Sequence, residues 1–276
     1  MQDNIVFELT TAKIPEDSSS CRVTCYIDGT MELRTSDKSL ANPLPYRKIS
    51  GDMLVNTNTG EVIFTSKAKN RAGSQDSARK SRRQVRALIL NNFRGNGVDL
   101  HAVATFGEPV YDLSVVVSHH KKFVERLRYA YPMVEYLMVA EPHRSGAWHC
   151  HYFFKNRDGS TVFLSSSELE DIWKHGYVKV RRIQDVGPVA GYFTKQEKIE
   201  LFHFYPPYSH LYHRSEGIVK PRSFRTSYGH AKELVENHQL VYSHTTHVLA
   251  VQEGGKKQEL NAHTHETWTR KAVKTV

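Results

Sequence analysis

Two strand-like runs, residues 136–143 and 147–156, are separated by only three residues, Arg144, Ser145 and Gly146. So short a link joins antiparallel neighbours, because a parallel crossover needs on the order of a dozen residues. The hairpin therefore commits the chain to an antiparallel sheet. With a three-residue loop, His143 faces Ala147, and continuing the ladder sets Glu141 directly opposite His149. Directly opposed residues lie about 5 Å apart on one face. His149-Cys150-His151 alternates along its strand, so both imidazoles share the face of Glu141 while Trp148, Cys150 and Tyr152 point the other way. Two histidines and a carboxylate can grip one divalent metal. The same triad suits non-haem iron, so other residues must decide between oxidation and hydrolytic or transfer chemistry.

Strand and helix patterns alternate around the hairpin. Residues 101–106 read as a strand, and 113–131 as a helix with Leu113, Val116, Val117, Val124 and Leu127 at helical spacing. Ser165-x-x-Glu168 is a capping-box pattern that starts a second helix ending near Gly176. A strand follows over 176–183, and Pro188 opens a third helix through about Ile199. The expected fold class is α+β, with helices packed on an antiparallel central sheet. Residues 1–65 read as a small β-rich N-terminal extension, with strands over 21–27 and 61–65 and turns at Asp28-Gly29 and Thr59-Gly60. The implied domains are this extension (1–65), a basic helical segment (66–100), the main domain (101–228) and a C-terminal extension (229–276) whose last 25 residues form a polar tail.

Charge narrows the partner. The net charge is +9, and residues 66–94 hold Lys67, Lys69, Arg71, Arg79, Lys80, Arg82, Arg83, Arg86 and Arg94 against one acid, Asp76. Neutralising phosphates releases condensed counterions, so a cluster of this kind favours nucleic acid. On a helix spanning 77–93, Val85, Leu88 and Ile89 share one side, and Arg79, Arg82, Arg83 and Arg86 on the neighbouring arc are the expected DNA contacts. No apolar run approaches the ~20 residues of a membrane span, and no secretory leader opens the chain, which implies a soluble, cytoplasmic protein without membrane partners. Cys21, Cys25 and Cys150 are read as reduced thiols. No GxxxxGK[ST] segment occurs, which argues against a built-in helicase motor.

The partner that selects transfer chemistry is Tyr192-Phe193-Thr194-Lys195. On a helix, residues three apart share a face, so Tyr192 and Lys195 can point together at the sheet. A phenol with an ordinary pKa near 10 attacks only when a cation favours its phenolate, and Lys195 can supply that field. His263-Thr264-His265-Glu266 and His244-x-x-His247 lie in polar surroundings and are read as non-ligating. Tyr205 and Tyr208, in the loop around Pro206-Pro207, are read as packing anchors rather than as a second nucleophile.

In order and type, 102–106, Glu141 to His151 and Tyr192 to Lys195 resemble the three motifs of the HUH endonucleases, with Cys150 in the hydrophobic slot between the histidines. Segments 46–63, 77–93, 173–183 and 216–228 further resemble rolling-circle replication initiators of plasmids, phages and integrative elements. Ala102 and Ala104 depart from the bulkier apolar residues of the first motif. The resemblance implies a ferredoxin- or RRM-like sheet and site-specific nicking and joining of single-stranded DNA. In that mechanism Tyr192 forms a 5′-phosphotyrosine and frees a 3′-OH that primes synthesis. Glu141, His149 and His151 hold Mg²⁺ or Mn²⁺, with His143 as reserve ligand. Origin DNA, a host helicase and a host polymerase are the implied partners. Relaxases and single-tyrosine transposases carry similar sites, but relaxases place the nucleophile upstream of the histidines, and such transposases lack this N-terminal extension. A non-catalytic nucleic-acid-binding module of the same topology would not require the tyrosine, lysine, carboxylate and histidines together.

Overall fold

The computed structural model describes residues 4–10, 14–37, 46–49, 53–56, 59–64, 75–251 and 257–271. Lys67, Lys69 and Arg71 of the basic cluster lie outside them. In chain order the elements are β1 (Asn4–Thr10), β2 (Ser20–Cys25), β3 (Met31–Ser36), β4 (Tyr46–Lys48), β5 (Met53–Asn56), β6 (Val62–Phe64), α1 (Gln75–Asn92), β7 (Leu100–Thr105), α2 (Leu113–Ala130), β8 (Val134–Pro142) and β9 (Trp148–Asn156). Then come α3 (Ser166–Trp173), β10 (Val178–Arg182), α4 (Val186–Tyr192), α5 (Gln196–Glu200), a 3₁₀ turn (Leu201–Phe204), β11 (Tyr212–Arg214), β12 (Arg222–Ser227), α6 (Tyr228–Leu234), β13 (His238–Val251) and β14 (Lys257–Arg270). No helix among the described residues is long and apolar enough to cross a membrane.

The chain forms two compact units, one of residues 67–220 and one combining 1–66 with 221–276. These boundaries differ from the four consecutive segments read from the sequence. The basic helix α1 joins the site-bearing unit, and the two ends of the chain build the other unit together.

The 67–220 unit is an antiparallel five-stranded sheet of order β10-β7-β9-β8-β11. Through β10 the connectivity is βαββαβ, with the first and third strands central, which is the split βαβ arrangement. The expected α+β class holds. Tyr152 on one sheet face packs against Phe123 of α2 and Trp173 of α3, at ring-centroid distances of 4.8 and 6.3 Å. On the other face, Phe153 packs against Phe93, just after α1, and Phe193, just after α4, at 5.5 and 5.8 Å. The capping box at Ser165 and Glu168 is formed. Between the hairpin strands, the His143 N–H donates to the Ala147 carbonyl at 2.8 Å, and Gly146 turns the chain at φ +87°. A Cβ there would sit 2.9 Å from the Phe204 ring, so both conformation and space require glycine.

The other unit has a six-stranded antiparallel sheet, β1-β13-β14-β3-β2-β12, and a three-stranded one, β4-β5-β6. The expected polar tail is instead β14, paired along β13 and β3. Its inward positions are polar: buried Thr264 shares a 2.9 Å hydrogen bond with Thr245, and Glu266 accepts one from the Tyr228 hydroxyl at 3.1 Å. An apolar alternation, the usual mark of a strand, is therefore missing from its sequence.

Candidate metal and nucleophile site

β8 and β9 pair with Glu141 directly opposite His149, the register derived from the loop length. Glu141 Oε2 lies 2.8 Å from His151 Nε2 and 3.8 Å from His149 Nε2, and the two Nε2 atoms are 3.0 Å apart. All three residues are buried. Two imidazole nitrogens facing each other this closely need either a proton or a shared cation between them. Ligands about 2.1 Å from one ion and at right angles lie about 3 Å apart, so this donor set fits a divalent metal. His149 Nδ1 is buried without a hydrogen-bond partner, a further polar atom the fold has left within this cluster. His143 stays outside the cluster, stacked on His149 at 4.1 Å and exposed.

The electrostatics keep the ligands in metal-binding form. Burial alone would raise the Glu141 carboxyl, but His151, Lys198 and Arg82 more than offset it and hold it at about 2. Burial, followed by the neighbouring His151 and His143, pushes His149 down to about 3. A carboxylate and a neutral imidazole are the states a metal requires.

Tyr192 comes to the same point. Its hydroxyl donates to Glu141 Oε2 at 3.2 Å. Burial raises its pKa and Glu141 adds to the rise, which Lys198 only partly offsets. The phenol therefore needs additional positive charge before it can become a nucleophile.

The structure corrects two residues expected at this site. Lys195 does not follow Tyr192 on one helix. α4 ends at Tyr192, where the Thr194 hydroxyl and amide both take the Gly191 carbonyl, at 2.9 and 3.0 Å, and Lys195 turns extended to begin α5. Lys195 is exposed, with its Nζ 5.9 Å from the Tyr192 ring centroid. Lys198 is closer: its Nζ lies 4.4 Å from that centroid and 2.8 Å from Glu141 Oε1.

Arg82 is not a surface contact for DNA. It is 1% exposed, its guanidinium lies 5.2 Å over the Phe202 ring, and it donates to the Lys198 carbonyl at 3.0 Å. Its Nη1 is 3.9 Å from Glu141 Oε1. Its place was legible in part, since Ala78, Arg82, Val85 and Ile89 form one helical stripe and all are buried. Arg83 is exposed and Arg79 and Arg86 are half-buried.

His101, absent from the sequence reading, brings its Nε2 to 3.0 Å from His151 Nδ1 and stacks on Phe153 at 4.7 Å. Burial, with His151 and Arg181 adding to it, lowers its pKa to about 3, so it is neutral. A neutral His101 can accept the Nδ1–H of His151 and leave Nε2 free for a metal. Its position on β7, across from Phe153, could have been found only through the β7–β9 register.

Tyr205 is buried and donates to the Ala140 carbonyl, as a packing anchor does, whereas Tyr208 is exposed. An open cleft beside the site is lined by His143, Arg144, His149, Tyr192, Lys198 and Phe204.

Residues 105–197, about a third of the chain, match the family of the replication-associated protein ORF2. The matched segment runs from the end of β7 past Tyr192 and contains the metal cluster. It identifies the chain with a rolling-circle replication initiator family. No curated protein matches the chain, and no solved structure does.

Proposed function

We propose that the chain, as a replication-associated protein, initiates rolling-circle replication by nicking and rejoining single-stranded origin DNA through Tyr192. The observation that carries this reading is the convergence on one carboxylate oxygen, Glu141 Oε2, of the Tyr192 hydroxyl at 3.2 Å and His151 Nε2 at 2.8 Å. A nucleophile and a metal-ligand set meet at a single point beside an open cleft.

Tyr192 Oη attacks the scissile phosphorus, the bond from phosphorus to the 3′ oxygen breaks, and that oxygen takes up a proton as the free 3′-OH. The 5′ phosphate stays on the tyrosine, and the reverse attack by a 3′-OH rejoins the strand. Mg²⁺ or Mn²⁺ held by Glu141, His149 and His151 would act as a Lewis acid on the phosphate oxygens. Lys198 favours the phenolate and fixes the second oxygen of Glu141, while Lys195, at the cleft's exposed side, faces the strand. Phe193, buried and edge-on to His151 at 5.3 Å, keeps the ligand ring in place. Arg79, Arg83 and Arg86 contact the DNA backbone. Unwinding and synthesis fall to a host helicase and polymerase in the cytoplasm.

The test is a denaturing gel of end-labelled single-stranded origin candidates with Mn²⁺. Wild type yields a covalent adduct on the strand downstream of the nick. Tyr192→Phe binds Mn²⁺ and DNA but gives none, and His149→Ala loses metal and cleavage together. An adduct from Tyr192→Phe at the wild-type rate would assign the nucleophile elsewhere, with exposed Tyr208 next in line.

A further inference from the structure

The six-stranded sheet carries a feature that strand cleavage does not use. Arg225 of β12 pairs with Arg22 of β2, Arg22 with Arg34 of β3, Arg34 with His265 of β14, and His265 with His244 of β13. Five basic side chains on five consecutive strands thus form one transverse row on one face, about 19 Å long at the usual strand spacing. Arg22 and Arg225 are exposed and Arg34 is partly so. The opposite face holds Cys21, Val23 and Leu33, packed with Tyr228, Ala231 and Val235 at α6, so the row points away from that core.

Like charges directly across a ladder repel, and a sheet gains nothing from them by itself. Charge on an edge strand guards against edge-to-edge pairing, which would explain Arg225 on β12. It does not explain Arg22 and Arg34, whose strands are interior. Glu32, in the next row, lies 3.3 Å from Arg34 and 3.7 Å from His265, and so offsets part of the charge at one place. The rows flanking the arginines carry hydroxyls: Ser20 and Ser227 on one side, Thr24 and Ser223 on the other.

We propose that this face binds the phosphate backbone of duplex DNA. Guanidinium and hydroxyl donors in rows suit phosphate oxygens. Unpaired bases would need ring faces set between the charges. Here Tyr242 stands at the far end, beside His244 at 5.1 Å. A row of about 19 Å also exceeds the roughly 12 Å width of the major groove, so it can meet the backbones on both sides. The surface is separate from the Tyr192 site and does not depend on the cleavage reading.

The test uses the full chain with Arg22→Gln and Arg225→Gln combined, and measures anisotropy of a labelled duplex of arbitrary sequence and of a single strand of equal length across a salt series. Removing two phosphate contacts makes the slope of log K against log salt shallower by nearly 2 and weakens duplex binding about 30-fold at 0.15 M salt. Adduct formation on a short single-stranded substrate stays at the wild-type rate, which separates this surface from the cleavage site. Ser223→Lys, adding a cation beside the row, steepens the duplex slope by nearly 1. Unchanged duplex affinity and slope in the double variant overturn the proposal. So does a loss confined to the single strand, or a loss of binding to phosphatidylserine vesicles with duplex binding intact.

Discussion

Glu141→Gln tests the centre of the site without reference to catalysis. The carboxylate is fully buried, and His151, Lys198 and Arg82 hold it at about 2 rather than near 4.5. At about 1.4 kcal/mol per pH unit, that difference corresponds to roughly 3 kcal/mol of stability contributed by the ionised form. Breaking a buried ion pair from one side typically costs about 3–5 kcal/mol, which agrees. The amide keeps the shape and removes the charge, leaving Lys198 and Arg82 facing a neutral group. In EDTA at pH 7 the variant should therefore unfold about 3 kcal/mol more easily in urea, a melting shift on the order of 6–12 °C for a unit of this size. The sign with pH follows from a depressed carboxyl. Its stabilisation is fully present above about 4.5 and is lost as pH falls through about 2, so the gap between wild type and variant narrows across that window. Mn²⁺ at a hundred times its Kd should add about 2.7 kcal/mol to wild type, and much less to the variant. A variant as stable as wild type in EDTA would refute the electrostatic account, and equal stabilisation of both by Mn²⁺ would remove Glu141 from the ligand set.

Lys198→Ala should slow adduct formation more than Lys195→Ala, because Lys198 Nζ is 2.8 Å from Glu141 and closer to the Tyr192 ring; single-turnover gels decide, and the reverse order would return the role to Lys195. Arg82→Met should lower stability by a few kcal/mol without changing the salt dependence of DNA binding, whereas Arg83→Ala should leave stability within about 0.5 kcal/mol and flatten the salt slope by nearly 1. His101→Leu should weaken Mn²⁺ binding about 10–100-fold with its melting temperature preserved, and His101→Asn, which restores an acceptor, should recover part of it. Manganese titration by electron paramagnetic resonance reads both, and wild-type affinity in His101→Leu would exclude a positioning role.

The sequence by itself determined what depends on neighbours along the chain. A three-residue loop sets hairpin register, and register sets faces, so Glu141, His149 and His151 were assignable to one side before any coordinate was known. Helical spacing located α2, and the capping box located α3, because both patterns are local. Tertiary structure decided what depends on elements far apart in sequence. Arg82 reads as one more charge of a basic helix until Glu141 and the Lys198 carbonyl, more than fifty residues away, give its guanidinium buried partners. Lys198 replaces Lys195 beside Tyr192 because the helix breaks at Gly191 and Thr194, which rotates the following residues off the expected face. His101 acquires its neighbour His151 across the β7–β9 ladder, a pairing no local pattern encodes. The arginine row is the extreme case. Arg22, Arg34 and Arg225 are scattered singly along the sequence, and only the register of strands from both ends of the chain sets them side by side.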